Sequence, residues 1–141
     1  MGVAVATHLV DKSVWARARQ PGVRSALLPL LDRGQVATCA MIDLELLYSS
    51  RSATDHARGR ALRSGFDWLP LTDEIGTRAI KVQSLLARQG HHRAASLSDL
   101  LIAATAERHG VAVLHYNVDF ETIAAVTRQP VQWVVPPGTA D

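Results

Sequence analysis

Apolar residues recur along this chain in short runs separated by longer stretches of helical spacing. Thr7-His8-Leu9-Val10-Asp11 reads as a strand, and Ser13 to Arg19 as a short helix ended by Pro21. Val23 to Arg33 has helical spacing, with Pro29 as a kink and Gly34 as its stop. Gln35 to Thr38 forms a second short strand, followed by an apolar helix over Ala40 to Ser49 and a polar, Arg-rich helix over Thr54 to Ser64. Trp68-Leu69-Pro70-Leu71 is at best an edge strand, because proline cannot donate to the ladder. Asp73 to Gln89 is helical up to Gly90, and Leu97 to His109 up to Gly110. The chain then alternates a strand at Val111–Tyr116, a helix at Phe120–Val126 and a strand at Val131–Val135. Strands alternating with helices predict a parallel sheet, since parallel neighbours need crossover connections. The helix at 97–109 carries Leu100, Leu101, Ile102, Ala103, Ala104 and Ala106 on all its sides, as a helix packed between layers does.

Length and composition narrow the class. The 141 residues are 48% hydrophobic and 20% charged, enough for one domain with a core of its own over residues 1–141, and too apolar for disorder. One cysteine, Cys39, rules out a disulfide framework and a thiolate metal cluster. No apolar run reaches the ~20 residues that span a bilayer, and Met1 to His8 lacks the regions of a signal peptide. A cytoplasmic protein with no membrane partner is the expectation. The net charge is +2, with arginine supplying nearly all the cations. Arginine binds phosphate bidentately, so nucleic acid is an admissible partner, although a GC-rich genome enriches arginine as well.

Familiar chemistries are missing: there is no Gly-rich phosphate loop, HExxH, GxSxG or Cys-x-x-Cys. The six histidines show no ligand spacing. What stands out is acid placement. Asp11 ends the first strand, Glu45 lies on the helix after the second, Asp99 in the first turn of the apolar helix, and Asp119 just after the strand at 111–116. In a parallel sheet these positions share the edge at the strands' carboxyl ends, where open α/β sheets bind ligands. Converging acids repel unless a cation neutralises them, and an all-oxygen set suits Mg²⁺ or Mn²⁺. Each acid has a plainer reading. Asp11, Asp99 and Asp119 all stand where helix caps are found, and Asp43, two residues from Glu45, interrupts the same apolar helix.

Four segments together resemble the PIN-domain ribonucleases, specifically the VapC toxins of bacterial toxin–antitoxin pairs. They are Leu9-Val10-Asp11-Lys12-Ser13, Ala40-Met41-Ile42-Asp43-Leu44-Glu45-Leu46-Leu47-Tyr48, Ser98-Asp99-Leu100-Leu101-Ile102-Ala103-Ala104-Thr105-Ala106, and His115-Tyr116-Asn117-Val118-Asp119-Phe120, in the family's order. The resemblance implies a three-layer α/β/α sandwich around a parallel sheet. It implies an acidic pocket with Asp11 and Asp99 as Mg²⁺ or Mn²⁺ ligands, and it selects Glu45 over Asp43. Ser13 matches a small hydroxyl residue lining that pocket. Asn117 stands where the family usually carries a carboxylate, so the fourth acid is shifted to Asp119 or absent.

The implied activity is metal-dependent hydrolysis of RNA phosphodiesters, in tRNA or rRNA, by a homodimer that a cognate VapB-type antitoxin neutralises. Such a partner would place a basic side chain in the acid pocket and cover the Arg-rich helix 54–64. The principal alternative is a catalytically silent RNA- or protein-interaction module on the same fold. A phospho-receiver would need an acidic pair at the first strand and a Lys near the fifth, and both are missing here. A phosphatase with a DxD nucleophile fails on Lys12-Ser13 after Asp11.

Overall fold

The computed structural model describes residues 5–141; the first four residues of the Met1–His8 stretch lie outside the described residues. Among the described residues, five strands alternate with seven helices. They are β1 (His8–Val10), α1 (Lys12–Trp15), α2 (Pro21–Asp32), β2 (Val36–Thr38), α3 (Ala40–Leu47), α4 (Ala53–Arg63), β3 (Asp67–Trp68), α5 (Asp73–Ala87), α6 (Leu97–His109), β4 (Ala112–His115), α7 (Val118–Thr127) and β5 (Val131–Trp133). All strand pairs are parallel, in the order β3-β2-β1-β4-β5. The order reverses between β1 and β4, which makes their carboxyl ends the topological switch point.

Alternation along each strand divides the core in two. Leu9, Ala37 and Val113 face one side, packed with Ile42 of α3, Ile75 and Leu86 of α5, Ile102 of α6 and Phe120 of α7. Val10, Val36 and Leu114 face the other, against Val14, Val23 and Leu27 of α1 and α2. The sheet is the middle of three layers, as expected.

The helix at 97–109 has the expected bounds and ends at Gly110, whose φ of 68° a side chain would strain. Pro21 does not merely end a helix: it occupies the first position of α2, where its missing N–H costs nothing, and the helix runs on through Pro29. The edge strand is two residues, Asp67–Trp68, and stops before Pro70. The helix predicted at 120–126 begins two residues earlier, and its N-cap is Asn117 rather than Asp119.

The Arg-rich helix is tied down by one of the two acids on α3. Asp43 is buried, and its Oδ1 accepts from the Thr38 hydroxyl at 2.6 Å and from Arg63 Nε at 2.6 Å. Arg63 also donates to Thr38 Oγ1 and lies over the rings of Trp15 and Phe66, while Arg60 Nη1 reaches Asp43 Oδ2 at 3.3 Å. Two arginines of the Arg-rich helix are therefore engaged with Asp43. Removing one partner of a buried pair leaves the other charge uncompensated. Arg63→Met should lower unfolding free energy in urea by about 3 kcal/mol or more; a loss well under 1 kcal/mol would show that Arg60 alone satisfies Asp43.

Candidate active site

At the switch point, the end of β1 is bound to the end of β4. The Asp11 N–H donates to Leu114 O at 3.0 Å, and the Tyr116 N–H donates to Ser13 Oγ at 2.8 Å. That hydroxyl donates in turn to Asp11 Oδ2 at 2.7 Å, and the Ser13 N–H meets the same oxygen at 2.9 Å. Asp11 is thus the N-cap of α1, as its position suggested. The cap occupies only one oxygen, however. Asp11 Oδ1 is buried and has no hydrogen-bond partner among the described residues.

Asp99 sits in the first turn of α6, but the cap there is Ser96, whose Oγ accepts the Asp99 N–H at 3.1 Å. The Asp99 carboxylate is free to face the pocket. Asn117 Nδ2 donates to its Oδ2 at 3.1 Å, while Asn117 Oδ1 accepts the Asp119 N–H at 3.0 Å. The backbone donor fixes which way the carboxamide points, so its NH₂ faces the acid and its oxygen is already engaged. Asp119 Oδ2 accepts from the Ser96 N–H at 3.3 Å. Glu45 reaches the same place from α3, with its Oε2 3.4 Å from Ser98 Oγ and 3.7 Å from Lys12 Nζ; its Oε1 is buried and unpartnered.

All six residues singled out from the sequence, Asp11, Ser13, Glu45, Asp99, Asn117 and Asp119, line one hollow of about 280 Å³, together with Lys12, Ser96 and Ser98. Lys12 was not singled out, although it lies between two residues that were. Ser96 is the N-cap of α6. His115 gave no signal in the sequence. Its ring is fully buried against Phe120 and Trp133, and its Nδ1 accepts the Asn117 N–H at 3.1 Å, so it supports the turn that carries Asn117. Burial lowers its pKa to about 4 and keeps it neutral.

Among the described residues no three acidic, histidine or cysteine side chains stand close enough to enclose a metal ion as they are. The donor chemistry nevertheless fits a hard cation. Two buried carboxylate oxygens from different elements, Asp11 Oδ1 and Glu45 Oε1, have no protein donor, and such atoms are costly without one. Asp99 shows the same crowding. Burial first, then a hydrogen bond with the Asp119 carboxyl and the charge of Asp11, raise its pKa from 3.8 to about 8.

The sequence profile of the PIN domain matches residues 8–126. Ribonuclease VapC21 of Mycobacterium tuberculosis is 48% identical over 134 residues, covering 94% of this chain and 97% of the relative. Ribonuclease VapC51 of the same species is 46% identical, covering 95% and 97%. Among solved structures, VapBC2 from Rickettsia felis bound to a promoter DNA fragment superposes with a TM-score of 0.72 at 15% identity, over 90% of this chain and 98% of that one. The sarcin-ricin-loop-cleaving toxin VapC20 of M. tuberculosis gives 0.58 at 18%, over 82% and 94%. These structural likenesses show the shared fold.

The raised Asp99 pKa has a stability consequence with a definite sign. The native carboxyl keeps its proton between pH 3.8 and about 8, whereas the unfolded one loses it. Metal-free protein should therefore lose stability as pH rises through that window, and Asp99→Asn should flatten the slope in thermal melts. An unchanged slope in the variant would assign the effect to another group.

Proposed function

The chain belongs to the PIN-domain family, and on that premise we propose that it is a VapC-type toxin: an endoribonuclease that hydrolyses RNA phosphodiester bonds with Mg²⁺ or Mn²⁺ and is neutralised by a cognate VapB-type antitoxin. The observation that carries this reading is the pair of buried, unpartnered carboxylate oxygens, Asp11 Oδ1 and Glu45 Oε1, at the switch point of the sheet. A silent interaction module has no need to leave both oxygens without a donor.

In this reading Asp11 and Asp99 would hold the cation, with Ser13 and Asn117 keeping their carboxylates in place. A bound divalent ion would supply Lewis-acid polarisation of the phosphate and make water easier to deprotonate. Glu45 would orient the attacking water and take its proton as the P–O bond to the leaving ribose oxygen breaks, and that oxygen departs with a proton from solvent. Lys12, on the rim beside Glu45, offers a charge to a neighbouring phosphate. Asp119 completes the acidic wall, because Asn117 uses its oxygen on backbone. A homodimer belongs to the same reading; the apolar groove of about 330 Å³ lined by Ala79, Ile80, Leu97, Leu100 and Leu101 offers a surface for it.

Asp11→Asn and Asp99→Asn should each lower RNA cleavage by about 100-fold or more, the loss of ~3 kcal/mol of transition-state stabilisation, with the fold intact by circular dichroism. Calorimetry should show Mn²⁺ binding lost in step. Variants that bind Mn²⁺ and cleave like the parent would refute the site. Co-expression with the product of the adjacent upstream gene should yield a co-eluting, inactive complex. Two soluble proteins that elute separately would refute the antitoxin.

A further inference from the structure

The acid pocket does not end at Glu45. A second hollow of about 310 Å³ is lined by Lys12, Leu44, Glu45 and Tyr48, so it shares Lys12 and Glu45 with the first. Leu44 and Tyr48 lie four residues apart, at the i, i+4 spacing that brings side chains together on one helix face. Both are open to solvent, Leu44 at 64% and Tyr48 at 91%. The fold does not need this ring. Tyr116, by contrast, is buried, and its hydroxyl bonds Asp141 and the N–H groups of Gly138 and Ala140. The Tyr48 hydroxyl makes no hydrogen bond among the described residues.

We infer that this second hollow is a nucleotide subsite, in which an unpaired RNA base next to the scissile phosphate stacks on Tyr48 against Leu44 while Lys12 holds the intervening phosphate. The inference rests on the endoribonuclease reading of the adjoining acids. A nucleotide joins a flat apolar base to an anion about one side-chain length away. The hollow offers the matching pair: an aromatic and an aliphatic side chain on one wall, and a half-exposed ammonium at the junction with the acid pocket. A protein helix would find two apolar side chains interrupted by the Lys12–Glu45 ion pair, which is a poor stripe for it. Stacking requires the base to be free of a duplex, so the subsite favours loops and single strands.

The test is binding by fluorescence anisotropy in the Asp99→Asn background. The probes are a labelled 12-mer of random-sequence single-stranded RNA and an abasic ribose-phosphate 12-mer of the same length. Tyr48→Ala should weaken RNA binding about tenfold while leaving the abasic chain unaffected, and Tyr48→Phe and Tyr48→Trp should restore it. Lys12→Met should reduce the slope of log affinity against log salt by about 0.7 with either probe. In the cleavage-competent protein, Tyr48→Ala should raise KM more than it lowers kcat. Equal RNA affinity in parent and Tyr48→Ala overturns the inference. So does a Tyr48→Ala effect confined to the antitoxin complex or to self-association, which would assign the surface to a protein. A parent that cleaves RNA while Tyr48→Ala matches its KM removes this subsite alone. A parent that neither binds nor cleaves RNA removes the ribonuclease reading with it.

Discussion

Four carboxylates cannot share a hollow of about 280 Å³ in their charged form without a counter-charge, and much of the local structure at the switch point answers that constraint. Like charges at short range and partial burial both oppose ionisation. The chain answers in three ways. Ser13 ties one oxygen of Asp11 to the end of β4, Asn117 gives an NH₂ to Asp99, and Asp99 retains a proton well above the usual carboxylate range. What these contacts do not satisfy, Asp11 Oδ1 and Glu45 Oε1, is the part a divalent cation suits.

The amide of Asn117 fits the same constraint. Its oxygen caps α7 and its NH₂ stabilises a neighbouring acid, two tasks that a carboxylate would not perform together. Beneath it, neutral His115 accepts the Asn117 N–H. Protonation at Nδ1 would remove that acceptor, and burial among Phe120 and Trp133 keeps the ring uncharged near neutral pH.

Helix α3 separates structure from chemistry within three residues. Asp43 turns inward to Thr38, Arg60 and Arg63 and joins α4 to the sheet. Glu45, about 200° further round the helix, opens to the pocket. The exposed Leu44 and Tyr48 flank that opening. The apolar character of the helix serves the core through Ile42 and the solvent edge through these two.

The sequence alone determined the order of elements, the parallel sheet and the edge at which the acids gather, because periodicity, glycine stops and crossover geometry are local or topological. Leu97–His109 with Gly110 was legible to the residue, and Asp11, Asp99, Asp119 and an acid on the helix after the second strand were legible as a group from their places relative to strands. Helix starts were less so: Asn117 and Asp119 are both good caps, and only the fold shows that Asn117 takes the role. The choice between Asp43 and Glu45 needed either the family pattern or the tertiary structure. Spacing on an apolar helix does not distinguish an acid facing Arg63 twenty residues on from one facing Lys12 and Ser98. The same holds for His115, for the Lys12–Glu45 pair and for the inward turn of Arg63. Each is defined by a partner distant in sequence, and long-range contact is what folding decides.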